Sequence, residues 1–248
     1  MTRSKEIISS LKHPLVQELY CLNRQRAERQ RTGSCVIEGK TLITDLLKKR
    51  AAKRLLITAG EEVPQGTIGQ IIEVERHIIE KISTLENPDN WIAEFEMPLT
   101  PQMKNLNFIV ALDGLQDPGN VGTIMRTALA LGWQAVFLIE PACDPFNDKA
   151  LRAAKGATFD LQIQKGTWQD LEKISKENTL PIFAADSSGN AIGTIQKPDR
   201  LILVLGNEGH GIHAPENIAI KKISIPIQSV ESLNVAAAGA ILLYSLQP

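Results

Sequence analysis

Three loops carry the residues able to do chemistry. The first is DGLQDPGNVGTIMR, residues 113–126. Asp117-Pro118-Gly119 forms a turn, and Asn120 reads as the N-cap of a helix running to Leu131, with Gly132 as its stop. Gly122, Thr123 and Arg126 fall on one face of the first turns. A helix N-terminus and a guanidinium then face one volume, a good place for a phosphate. A capped helix with a solvated arginine fits the same residues. The second loop, GNEGHG at 206–211, holds three glycines in six residues, which allows close backbone approach to a ligand. It is neither a Walker loop nor the dinucleotide spacing G-x-G-x-x-G. Glu208 in its middle is unfavourable for cradling phosphate. A mobile Gly-rich turn is the plainer alternative, and His210 and His213 read as ordinary polar loop residues. The third loop, QSVESLN at 228–234, places Ser232 as the N-cap of a final helix. Residues 236–240 of that helix are all small, so other backbone can approach it. Capping alone would also explain Ser232 and Asn234.

The elements behind these loops are short apolar runs: NFIVALDG, QAVFLIEP, LPIFAADS, RLILVLGNEG and KISIPI. Helical patterns separate most of them. Continuous apolar strands alternating with helices predict a parallel sheet covered on both faces. Ligands of such sheets bind beyond the carboxyl ends of the strands, and all three loops follow strands, so they can converge on one crevice. No covalent nucleophile pair, metal cluster or phosphate loop competes, which leaves group transfer from a bound donor. Upstream, residues 15–31 read as one helix ending in Arg24, Arg26, Arg29 and Arg31. A strand CVIEG, a helix KTLITDLLKKRA and a strand RLLITAG follow. Residues 96–107, with two prolines and no clear period, read as a linker. The expected division is an N-terminal domain over 1–96, a linker over 97–105 and a C-terminal domain over 106–248.

Charge separates the same two regions. The formal net charge of the 248 residues is −1. Residues 1–54 hold 13 Lys/Arg against 5 Asp/Glu, a net of +8, so the rest carries −9. Such asymmetry points to a nucleic-acid contact at the basic end, or to a solvated helix face. Cys21, Cys35 and Cys143 are odd in number, form no C-x-x-C and have no histidine at zinc spacing. Neither a disulfide framework nor a metal is expected, in keeping with a reducing, cytoplasmic setting. The N-terminal segment has no apolar signal core. The longest apolar stretch, residues 235–243, is too short to span a membrane.

The three loops resemble the three motifs of the SpoU, or TrmH-like, branch of the SPOUT RNA methyltransferases. DGLQDPGNVGTIMRTALALG is similar to motif 1 with Asn120 and Arg126. LILVLGNEGHGI is similar to motif 2 with Gly206 and Glu208. IPIQSVESLNVAAAGAILLYSL is similar to motif 3 with Ile225, Pro226, Ser232, Leu233 and Asn234. LRAAKGATF resembles a further family segment, with Ala154 where the family often has Ser. The upstream region is similar to the N-terminal substrate-binding domain of the rRNA-directed members, which members acting on the tRNA D-loop lack.

The resemblance implies an α/β fold: a C-terminal parallel-sheet domain with a trefoil knot, a rare feature, and a smaller N-terminal α/β domain of ribosomal-protein-like fold. It implies S-adenosylmethionine held by the backbone at Leu205, Gly206, Ile225 and Leu233, and a homodimer through the C-terminal domain. It implies transfer of methyl to a ribose 2′-hydroxyl, with 23S rRNA as the expected substrate and a tRNA as the alternative. Arg126 is either the base or, since arginine is hard to deprotonate, a clamp on the phosphate beside the target ribose. Asn120, Glu208, Ser232 and Asn234 would orient substrate and Arg126. Arg24, Arg26, Arg29 and Arg31 are the candidate RNA contacts. A non-catalytic RNA-binding or ribosome-assembly factor on the same fold is the competing class. A Rossmann-type dehydrogenase is disfavoured by the glycine spacing.

Overall fold

The computed structural model describes the backbone of Thr2 and Arg3, and residues 7–207 and 209–248. Glu208 lies outside the described residues. The chain divides into two compact units, Met1–Pro98 with Phe146–Gly156, and Leu99–Pro145 with Ala157–Pro248. The strand–helix alternation is as expected, although a segment from the middle of the C-terminal sequence packs with the first unit.

The first unit is built on a five-stranded mixed sheet. Its strands are β1 (Thr2–Arg3), β2 (Ser34–Glu38), β3 (Ala52–Thr58), β4 (Ile68–Val74) and β5 (Trp91–Glu96), in the order β1-β4-β3-β5-β2. The helices are α1 (Pro14–Arg24), α2 (Arg26–Thr32), α3 (Lys40–Leu47) and α4 (Arg76–Ile82). The single helix expected over 15–31 is therefore two, broken where Gln25 adopts an extended conformation, φ −109° and ψ 118°. Val16, Leu19 and Leu22 of α1 meet Ile78, Ile79 and Ile82 of α4 over Leu56 and Ile72 of the sheet. Sequence reasoning missed β4 and β5. The added segment carries α6 (Asp148–Ala154). Arg152 ties it down, donating to Thr84 Oγ1 at 3.0 Å and to Asp148 Oδ2 at 2.8 Å. Ala154, the departure from the family pattern, is buried in this packing, where a methyl group suits the site.

The break at Gln25 depends on Arg29. Its side chain is 3% exposed, and its guanidinium donates to the carbonyls of Leu22 at 2.9 Å and Asn23 at 3.0 Å. Those carbonyls belong to the last turn of α1, which has no further helical N–H to satisfy them. Removing the guanidinium strands buried acceptors, so Arg29→Ala is expected to lower stability by about 3 kcal/mol. Urea denaturation checks it, and a loss below about 0.5 kcal/mol would contradict this role.

The second unit is a six-stranded sheet in the order β11-β9-β10-β6-β7-β8. The strands are β6 (Phe108–Asp113), β7 (Ala135–Ile139), β8 (Gln162–Gly166), β9 (Ile182–Ala191), β10 (Leu201–Gly206) and β11 (Ile220–Ser224). Every neighbouring pair is parallel, as the apolar runs predict. The central β6 is buried at all six positions because helices cover both faces. On one face, Trp168, Leu171 and Ile174 of α8 (Trp168–Asn178) meet Ile109, Phe137 and Val204. The other elements are α5 (Pro118–Ala130), the short α7 (Ala157–Asp160) and α9 (Val235–Ser245). Helices α5 and α9 pack on each other. Gly239 of α9 lies so close to Leu205 and Ile124 that an added Cβ would stand 2.9 Å from Leu205 Cδ1. Gly239 thus serves close packing within the chain. The polar edge strand β8 was not foreseen. Among the described residues, no helix is long and apolar enough to cross a membrane.

Candidate active site

The chain leaves β6 at Asp113 and enters α5 after a short loop. Asp117, not Asn120, caps this helix: its Oδ1 accepts from the backbone N–H of Asn120 at 2.9 Å. Pro118 occupies the first helical position, where its missing N–H costs nothing. The Asn120 side chain is thereby released, and its Oδ1 accepts from Asn234 Nδ2 at 3.3 Å. At the other end of that contact, Asn234, not Ser232, caps α9, its Oδ1 accepting from Ala236 N at 3.0 Å and Ala237 N at 3.4 Å. Both helix starts therefore sit one asparagine contact apart.

The Gly206 loop joins the same place. Asn207 Nδ2 donates to Gly114 O at 3.1 Å. His213 N donates to the buried Asp113 carboxylate at 2.8 Å. The loop closes on itself through Asn207 N to Gly211 O at 3.0 Å and Gly211 N to Asn207 O at 2.8 Å. Gly206 is needed for space: an added Cβ would lie 2.4 Å from Gly211 O. All three loops singled out in the sequence are thus connected by hydrogen bonds at the carboxyl ends of β6 and β10, where parallel sheets bind ligands. Arg126 is exposed on α5, and no described residue holds its guanidinium by a hydrogen bond or ion pair. The placement of Glu208 in this loop lies outside the described residues.

A cavity of about 170 Å³ opens beside motif 3. Strand β11 stops at Ser224, earlier than the expected run through 227, because Pro226 has no N–H and restricts Ile225. Ile225 and Ile227 leave the sheet and line the cavity with Leu233, Ala238 and Leu242. Ser232 and Glu231 border it too. Of the expected cofactor contacts, Ile225 and Leu233 lie at this cavity. Leu205 is buried and Gly206 half-buried at the end of β10, and neither lines it.

Sequence reasoning missed three further lining residues, Ala185, Asp186 and Ser187 of β9. Their available signal was the turn-like DSSGN after an apolar run. Asp186 Oδ1 accepts from Ser188 N at 2.8 Å and Ser188 Oγ at 2.7 Å, and Oδ2 pairs with Lys222 Nζ at 2.9 Å. The Ser188 hydrogen bonds, with Lys222 beside them, hold this carboxyl down at about 2. Its stabilising contribution is complete above the ordinary value of 3.8 and is lost as pH falls through about 2.

In the first unit, the four candidate RNA arginines have different tasks. Arg29 is buried and structural, a correction. Arg24 donates to Ile82 O and Ser83 O, both at 2.8 Å, and its guanidinium lies 4.0 Å from the centre of the Tyr20 ring. It thereby caps the end of α4. Arg31 pairs with Glu28 at 2.7 Å on the surface, and Arg26 is exposed. Arg54, also counted in the basic segment, is held by Glu18 and Glu94. Part of the positive charge is therefore spent on internal carbonyls and carboxylates.

Residues 107–244 match the model of the SpoU rRNA methylase family. The chain belongs to this family. Ahead of the SpoU methylase region, residues 13–93 match the MRM3-like substrate binding domain. This SpoU protein is similar to the 23S rRNA (guanosine(2553)-2′-O)-methyltransferase RlmP of Bacillus subtilis, with 30% identity over 97% of this chain and 98% of the relative. A solved structure of a TrmH-family RNA methyltransferase from Porphyromonas gingivalis superposes with a TM-score of 0.82 at 31% identity, covering 96% of this chain and 98% of that one. An AdoMet-bound rRNA methyltransferase from Sinorhizobium meliloti gives a TM-score of 0.83 at 28% identity over 97% of each chain.

Proposed function

We propose that this SpoU-family protein transfers a methyl group from S-adenosylmethionine to a ribose 2′-hydroxyl of 23S rRNA, in the cytoplasm. The observation that carries the reading is the convergence of the three motif loops through the Asn120–Asn234, Asn207–Gly114 and His213–Asp113 hydrogen bonds. The near full-length likeness to RlmP supports the large-subunit RNA as substrate. The reading keeps the threaded chain path that the family resemblance implies.

The residues present fit the donor. Ile225, Ile227, Leu233 and Leu242 offer an apolar slot for a base, and Asp186, Glu231 and Ser232 offer hydrogen-bond partners at its rim. S-adenosylmethionine supplies a methyl group activated on a positively charged sulphur. The protein must do the rest by position and charge. Arg126 clamps the phosphate next to the target ribose and stabilises charge developing on the 2′-oxygen. Asn120 and Asn234 hold the two helix starts that frame this position. Asn234→Ser tests the frame. Serine caps nearly as well, so stability should hold, while loss of the amide reaching Asn120 should lower turnover roughly tenfold, as for a positioning group. Unchanged turnover in a well-folded variant would remove this contact from the mechanism.

The reading includes a homodimer formed through the second unit. Helix α9 exposes Ile241 at 41% and Tyr244 at 66% beside the small residues of its face. Light scattering at micromolar concentration should return twice the 27.2 kDa of the chain. A monomer that retains activity would contradict it.

Mapping 2′-O-methyl marks in rRNA with and without the gene tests the substrate. One mark in 23S rRNA should vanish with the gene and return with it. An unchanged 23S map with a lost tRNA mark would move the substrate to tRNA.

A further inference from the structure

Strand β9 does not run straight beside β11. Ile220, Lys221 and Lys222 pair with Ile182, Phe183 and Ala184, but Ile223 and Ser224 pair with Asn190 and Ala191. Residues 185–189 are left over as an excursion out of the ladder. A one-residue bulge is the usual irregularity, and it re-aims side chains near functional sites. A longer departure leaves more backbone unpaired and needs its own supports.

Those supports are present. Asp186 accepts from both the N–H and the hydroxyl of Ser188, making an Asx turn inside the excursion. Lys222 of β11 anchors the same carboxylate at 2.9 Å. Ser224 Oγ donates to Gly189 O at 2.9 Å where the excursion rejoins the ladder. Gly189 is required there, since an added Cβ would stand 2.4 Å from Ile223 N. The excursion is thus a fixed structure, and its residues Ala185, Asp186 and Ser187 line the same cavity as Ile225 and Leu233.

We propose that Asp186 is a donor-binding residue whose carboxylate accepts a hydrogen bond from a ribose hydroxyl of the methyl donor, and that the β9 excursion serves to carry it to the cavity. This rests on the reading of the cavity as the donor site. A carboxylate has about four acceptor positions, and three are filled by Ser188 N, Ser188 Oγ and Lys222 Nζ. One position remains, enough for one O–H donor. Lys222 already balances the negative charge, which suits a hydrogen-bond acceptor better than a counter-ion for the sulfonium. The Asp186 side chain is 28% exposed, so it is reachable from the cavity yet shielded enough for the bond to count. Glu231, the other carboxylate at the cavity, lies on an exposed stretch and has no comparable set of supports among the described residues.

The test is calorimetric titration of the full chain with S-adenosylmethionine, S-adenosylhomocysteine and the 2′-deoxy and 3′-deoxy ribose forms of the latter. The wild type should bind one deoxy form roughly tenfold or more weakly than the parent, the range for a hydrogen bond to a charged group. Asp186→Ala should bind the parent about as weakly as the wild type binds that deoxy form, and should no longer tell the two apart. Asp186→Asn keeps an acceptor for Ser188 and so preserves the excursion. It should discriminate only a few-fold, and it carries the test if the alanine variant misfolds. Full discrimination by both variants, or none by the wild type, would overturn the proposal. So would a loss seen with S-adenosylmethionine alone, which would make Asp186 a sulfonium counter-ion. Failure of the wild type to bind either parent compound would overturn the donor-site reading itself, a distinct result.

Discussion

Arg126→Lys is expected to lower turnover by roughly tenfold to a thousandfold, the range for removing one positioning or oxyanion donor. Affinity for S-adenosylmethionine should barely change. The argument is geometric. Arg126 stands exposed on α5, the helix that follows the first motif loop, and that loop and helix start are joined to both other motif loops. A guanidinium grips phosphate through two parallel N–H groups in a fixed plane, and an ammonium cannot. The Michaelis constant for RNA should therefore rise as well. A base mechanism makes a different prediction, because lysine loses its proton far more readily than arginine. Turnover of the variant would then recover as pH approaches about 10. Rate–pH profiles of both proteins, with donor binding as the control, separate the two. A flat deficit supports the clamp, and strong recovery at high pH supports the base.

Gly206→Ala is expected to destabilise the protein by about 1–3 kcal/mol through overpacking. The added methyl would meet Gly211 O at 2.4 Å, Gly211 C at 2.6 Å and Ile212 Cγ1 at 2.6 Å. Two of these atoms are backbone and cannot swing aside. Relief requires opening the paired Asn207 and Gly211 hydrogen bonds, which also hold Asn207 against Gly114. Gly209→Ala is the control, since its nearest neighbour would be Asn207 Oδ1 at an ordinary 3.5 Å. Urea denaturation of both variants provides the check. Equal effects at the two positions would show that the loop does not depend on close approach at Gly206.

The meeting of the three loops was legible because its physics is local. Buried parallel strands must be apolar runs, and loops that approach a ligand must contain glycine, asparagine and proline at their ends. The identity of the caps was not legible. Asp117 and Asn120 are equally good capping types three residues apart, as are Ser232 and Asn234 two residues apart. Only the chain path decides, and in both cases it assigns the cap so that the two asparagines meet. Arg29 was misread for a related reason. In a run of basic residues, nothing local reveals that one guanidinium has two buried carbonyls to satisfy. The break at Gln25 hides in a pattern that continues through it. Asp186 stayed hidden because LPIFAADS reads as one strand run, whereas residues 185–189 leave the ladder, which resumes at Asn190.

Incubating the purified protein with S-adenosylmethionine labelled on its methyl group and with unmodified 23S rRNA tests the central claim most directly. The RNA is then digested to nucleosides. The account predicts label in a single 2′-O-methylated nucleoside, absent when Arg126→Ala replaces the wild type. Label on a base, or no transfer to RNA by a protein that binds the donor, would contradict it.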